Sequence, residues 1–145
     1  ALTACQEKSG PDQESYEPSL VQTIADGGAF SEGLEELDGD TAFALYRLAD
    51  YGLSREDLTD CAVLRSAGAT CEEGAVLVIA DGDQARVDKA RQALEDYVQS
   101  QIDANRDYRP AEIPKLENAW IDVKGQTLLL VVANDVEAAK AAVEK

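Results

Sequence analysis

Histidine is absent from the 145-residue chain, and with it go the commonest general base, the commonest proton switch and the commonest transition-metal ligand. Ser-His-Asp and Cys-His arrangements are impossible, and no G-x-S-x-G, S-x-x-K, Gly-rich phosphate loop or C-x-x-C is present. Long apolar runs are missing as well. The longest, Ala75 to Ala80 and Leu128 to Ala133, have six residues each, against roughly 20 for a membrane-spanning helix. Cations are scarce: 13 Lys and Arg stand against 29 Asp and Glu, for a formal charge of −16. That field repels phosphate backbones and anionic lipid surfaces, which argues against a nucleic-acid partner. The same charge keeps a domain soluble and would suit a cationic partner, but it names none. Catalysis would be left to carboxylates, Lys, Tyr or a cofactor, and the sequence shows neither a catalytic constellation nor a cofactor motif.

What is present begins at the N-terminus. Leu2-Thr3-Ala4-Cys5 places a branched apolar residue at −3 and small residues at −2 and −1 before a cysteine. It resembles the lipobox that ends bacterial lipoprotein signal peptides, in which the thiol receives the diacylglyceryl group. Residues 1–4 then read as a signal-peptide remnant, Cys5 as the lipidation site, and residues 5–18, polar and rich in Gly, Pro, Ser and acids, as a flexible tether. Two acyl chains at about 0.8 kcal/mol per methylene hold a protein on a membrane. The expected location is extracytoplasmic, anchored to the cell membrane by that lipid.

Residues 19–145 read as a single α+β domain. The segment 19–60 is a helical region: SLVQTIAD closed by Gly27-Gly28, a weak helical turn over 33–37, TAFALYRLAD capped from Asp38 to Asp40, and a brief helix after Ser54. Segment 61–107 is a first ββα unit, with strands at 61–66 and 74–81 and a helix over 84–105 capped by Asp83. Segment 118–145 is a second, with strands at 118–124 and 127–133 joined through Gly125-Gln126, then a helix opened by Asn134-Asp135. The expected fold is a four-stranded antiparallel sheet of order 1-2-4-3. It leaves the strands bearing Arg65, Asp122 and Lys124 at the edges. The two ββα helices cover one face, and the N-terminal helical region covers part of the second.

The block running from EEGAVLVIADGD through RPAEIPKLENAWIDVKGQTLLLVVANDVEAAKA resembles a family of bacterial lipoproteins, common in Gram-positive anaerobes, that carry a conserved domain of unknown function. The resemblance spans about residues 19–144. It implies a lipidated extracytoplasmic protein with an α/β domain, and no activity, cofactor or binding residues.

Several side chains are weighed as sites. Asp38-Gly-Asp40 and Asp81-Gly-Asp83 open like calcium loops but do not continue as such; turn plus helix cap explains both, and no metal site is assigned. Trp120 shares a strand face with Asn118, Asp122 and Lys124, and is either packed beneath the N-terminal helices or a platform for a ligand or partner. Tyr108 and Arg109, beside Pro110, are lesser contact candidates, or a helix stop whose ring packs on the core. Glu72-Glu73, Glu35-Glu36 and Glu56-Asp57 read as solvated surface, because neighbouring carboxylates point apart and a catalytic pair needs convergence. Cys61 and Cys71 read as free, largely buried thiols, since a hairpin turning near residue 70 sets Cys61 across from about Ile79 and too far from Cys71 for a disulfide. The function that follows is a lipid-anchored, non-catalytic binding or interaction domain, with no cofactor and with a protein, cell-wall or small-molecule partner. Its alternatives are a carboxylate-based hydrolase of cell-wall polymer and an accessory subunit of a membrane complex.

Overall fold

The two longest apolar runs lie side by side at the centre of the sheet. A computed structural model describes residues 15–81 and 83–144. Its strands are β1 (Glu35–Leu37), β2 (Leu58–Arg65), β3 (Glu73–Ile79), β4 (Trp120–Lys124) and β5 (Thr127–Val132). The helices are α1 (Leu20–Asp26), α2 (Gly39–Leu45), α3 (Gln84–Asn105), α4 (Ile113–Glu117) and α5 (Val136–Val143), with short 3₁₀ turns at Leu48–Tyr51, Arg55–Asp57 and Pro110–Glu112. The sheet order is β1-β2-β3-β5-β4 with every neighbour antiparallel.

The expected four-strand order is present, and a fifth strand extends it. Residues 33–37 do not form a turn of helix; Glu35–Leu37 pairs with Arg65 to Val63 along the free edge of β2. An isolated turn of helix is costly to nucleate, whereas the edge of β2 offers backbone partners at once. β2 itself begins three residues earlier than the pattern suggests, with an irregularity between Leu58 and Asp60. Arg65 pairs with Glu73, so the hairpin centres on residue 69 rather than 70 and sets Cys61 opposite Leu77 rather than Ile79.

Local signals place the helices well. Asp83 accepts the Ala85 amide at 2.9 Å, Asp38 that of Thr41 at 2.8 Å and Asp135 that of Ala138 at 3.0 Å, each satisfying an otherwise orphaned first-turn donor. Val87, Ala90, Leu94, Val98 and Ile102 form the buried stripe of α3. TAFALYRLAD is not one helix, however. It breaks at Arg47, whose φ of 56° is left-handed, and resumes as a 3₁₀ turn. Residues two apart on an α-helix face nearly opposite ways, so only this break lets Tyr46 and Leu48 both be buried.

Strand alternation divides the core in two. On the first face Val63, Leu77, Ile79, Leu128, Leu130 and Val132 pack with α3, Leu48 and Leu116 of α4. On the second, Val76, Leu129 and Val131 pack with Val21 and Ile24 of α1 and Ala139 and Ala142 of α5. The two ββα helices thus lie on opposite faces, not together. Since β5 is antiparallel to both β3 and β4, those two run parallel, and α3 is the crossover that joins them. Handedness commits such a crossover to one face. No strand follows α5 among the described residues, so it is under no such constraint, and its alanines allow close approach beside α1.

Candidate functional site

Polar chemistry concentrates where β2 and β3 meet the seven-residue loop 66–72. Glu73 opens β3, one of the two buried central strands, opposite Arg65 of β2. Its carboxylate is 2% exposed. It accepts hydrogen bonds from the Tyr46 hydroxyl, from the Tyr97 hydroxyl of α3 at 2.5 Å and from Arg65 Nε at 3.3 Å. Arg65 Nε also reaches the Tyr97 oxygen at 3.1 Å, and the two tyrosine rings meet edge to face at 4.9 Å. Burial pushes the Glu73 carboxyl up, against the pull of the Tyr46, Tyr97 and Arg65 hydrogen bonds. Burial, with the neighbouring Glu73 charge, raises both phenols as well.

Glu72 turns the other way. Fully buried, it accepts from the Ser31 amide at 2.7 Å, the Ser31 hydroxyl at 2.5 Å and Lys115 Nζ of α4 at 2.7 Å. Lys115 also contacts Glu112, whose Oε1 accepts the Cys71 amide at 2.8 Å. Burial alone would lower the ammonium pKa; the bonds to Glu72 and Glu112 more than offset it, and the pKa is raised. Glu32 takes the hydroxyls of Ser66 at 2.7 Å and Thr70 at 2.6 Å, which together hold its carboxyl below the usual range. Residues 31–32, α4 and the turn before it thus grip one loop from three sides.

Two cavities flank this network and share Gln101. The smaller, about 160 Å³, lies between the loop and the end of α3, with Arg65, Arg109, Asn105 and Cys71 in its wall. The larger, about 540 Å³, lies between the Arg47 break and α3, over Tyr46 and Tyr97 and beneath Tyr51, whose hydroxyl donates to Asp96 at 2.5 Å.

Residues 39–133 match the family described as a domain of unknown function (DUF4358). The chain belongs to that family. No curated protein and no solved structure matches it. The match is shorter at both ends than the resemblance read from the sequence, and the DUF4358 segment contains all the residues of both cavities, while α1, β1 and α5 lie outside it.

Of the three residues read from sequence as ligand or partner contacts, Trp120, Tyr108 and Arg109, Arg109 alone lines the smaller cavity. Its guanidinium reaches the Thr70 carbonyl at 3.4 Å and lies 5.5 Å from the Tyr108 ring. Tyr108 does not pack on the core; it is 77% exposed. Trp120 is not brought there. It is half-buried on the second face, with Lys140 of α5 5.7 Å from its ring. Cys61 and Cys71 are unpaired and half-buried, and burial raises both thiols away from nucleophilic character. Cys5 lies outside the described residues. Among the described residues no group of three or more Cys, Asp or Glu is arranged to hold a metal. The Glu72-Glu73 pair, read as solvated surface, is the site's buried centre. Two acids directly before the wholly apolar GAVLVIA were the available signal, since the start of so buried a strand leaves little room for solvent.

Proposed function

We propose that the chain is a non-catalytic binding domain, tethered outside the cytoplasm by lipid on Cys5, whose ligand is held at the loop end of the sheet. One observation carries this: two cavities adjoin at Gln101 over a floor of buried tyrosine and carboxylate groups that already have their hydrogen bonds. Preformed concavity with fixed polar groups is what a ligand site needs. A general acid or base must also be free to exchange a proton with a reacting atom, and neither Glu73 nor Glu72 is. Support for the anchor is the Leu2-Thr3-Ala4-Cys5 motif and the polar stretch behind it.

A carboxylate-based hydrolase of cell-wall polymer is the second reading, favoured by Glu72 and Glu73 both lining one cavity. It is weakened by their divergence, because a glycosidase pair must flank one bond. An accessory subunit docking through an open sheet face has less support, since helices cover both faces.

Two measurements test the proposal. The precursor expressed in a bacterium is expected to partition into detergent, and Cys5→Ala to release it; a mutant that stays membrane-bound removes the anchor. Purified protein incubated with cell-wall polymer is expected to release no product. Release that is abolished by Glu73→Gln establishes the hydrolase instead.

A further inference from the structure

We propose that the smaller cavity is an oxyanion subsite, in which Arg65 and Arg109 together hold a carboxylate or phosphate group of the ligand. The proposal rests on the reading of this end of the sheet as the ligand site.

The argument is one of donors and acceptors. The charged side chains lining the cavity balance, Arg65 and Arg109 against Glu72 and Glu73, so net charge draws nothing in, and the −16 chain opposes an anion from a distance. The charged acceptors, however, are taken from outside the cavity. Glu73 is occupied by Tyr46 and Tyr97 as well as Arg65, and Glu72 by Ser31 and Lys115. The hydroxyls of Ser66 and Thr70 point their protons at Glu32. The donors are left in surplus. A guanidinium carries five N–H groups, yet among the described residues Arg65 has only Glu73 and Tyr97 as acceptors and Arg109 only the Thr70 carbonyl, at 3.4 Å. Arg109 forms no ion pair with any described carboxylate; Arg65 is held in place by one that is almost fully buried. Two forks of this kind bordering one cavity match the planar or tetrahedral oxygens of an oxyanion, which they can hold bidentately.

Size sets the rest. About 160 Å³ is some five times the ~30 Å³ share of one water. That admits a carboxylate or phosphate group. The larger cavity beyond Gln101 has room for what the group is attached to.

Full chain carrying Cys5→Ala would be titrated with sodium acetate, inorganic phosphate and acetamide while backbone amide resonances are followed. Acetate, phosphate or both are expected to shift amides of residues 66–72 and 105–109, and whichever acts names the group; acetamide, the uncharged isostere, is expected to shift none. Arg109→Met removes a charge-assisted contact and is expected to weaken anion binding about tenfold or more, with the thermal midpoint unchanged because the side chain supports no buried partner. Arg109→Lys keeps the charge without the fork and is expected to fall between the two. Acetamide acting as well as acetate, no response to either anion, or unchanged affinity in Arg109→Met would overturn the subsite. N-acetylglucosamine in the same series separates this failure from that of the binding reading: shifts near Tyr51 and Asp96 without any anion response leave the larger cavity a ligand site, and silence at both cavities removes both.

Discussion

The hairpins β2-β3 and β4-β5 are both antiparallel pairs beside the same apolar centre, and they close in opposite ways. β4-β5 turns in two residues, Gly125-Gln126, with Gly125 at a φ of 59°. Its polar groups are met locally or by the adjoining strand end: Thr127 Oγ1 donates to the Lys124 carbonyl at 2.6 Å, and the Gln126 side chain to the Ala80 carbonyl at 2.8 Å. β2-β3 closes through loop 66–72, which strands backbone donors that no turn satisfies. Glu112 takes the Cys71 amide, and Ser66 and Thr70, themselves held by Glu32, take the amides of Gly68, Thr70 and Glu72. A tight turn closes a sheet and leaves nothing over. A long loop must import polar side chains to be buried at all, and where it does so the molecule acquires both its buried carboxylates and its Arg-bearing cavity.

Breaking the longer closure is expected to give the largest effect. Glu72→Ala strands the Ser31 donors and takes the nearer acceptor from the mostly buried Lys115 ammonium, leaving it Glu112 alone at 3.2 Å, and removing one partner of a buried pair costs about 3 kcal/mol. Asp122→Ala, which takes from the short hairpin the partly buried bond to the Tyr16 hydroxyl, is expected to cost about 1 kcal/mol. Denaturant unfolding measures both, and equal losses would erase the contrast between the hairpins. Adding Lys115→Met to Glu72→Ala is expected to recover part of the loss, with a coupling of roughly 1–3 kcal/mol, because the mostly buried ammonium, left with Glu112 alone, is then gone.

The next effect is a pH dependence. Tyr46 and Tyr97 have folded pKa values above the unfolded phenol value of about 10. Above that pH the unfolded chain loses these protons while the folded one keeps them, so stability falls as pH rises through 10 and upward. Lys115, also raised, acts with the same sign: its contribution is complete below the unfolded value and is lost as pH passes the folded one. Tyr97→Phe removes one phenol, and its stability is expected to decline less steeply than wild type by about 1.4 kcal/mol per pH unit in that window. An unchanged slope would mean that Tyr97 ionises as freely in the fold as out of it. The smallest effect belongs to the short turn. Gly125→Ala forces a side chain into the left-handed region and is expected to cost about 1 kcal/mol, without altering any anion-induced shift at loop 66–72.

The sequence by itself determined the four longer strands and the helices α1, α3 and α5. Caps at Asp38, Asp83 and Asp135 and the stripe of α3 lie within a few residues of the backbone they act on, and the two apolar runs could only be central strands. Arg109 beside Pro110 was legible as a contact candidate because a helix end exposes what it carries. Tertiary structure alone decided which face each helix takes, that Glu35–Leu37 becomes an edge strand, and that Glu72 and Glu73 are buried. Tyr46 and Tyr97 stand 27 and 24 residues from Glu73, and Ser31 and Lys115 stand 41 and 43 from Glu72. A carboxylate reads as solvated until partners at such separations are known, because burial of a charge is settled by the donors that reach it and not by the residues that precede it.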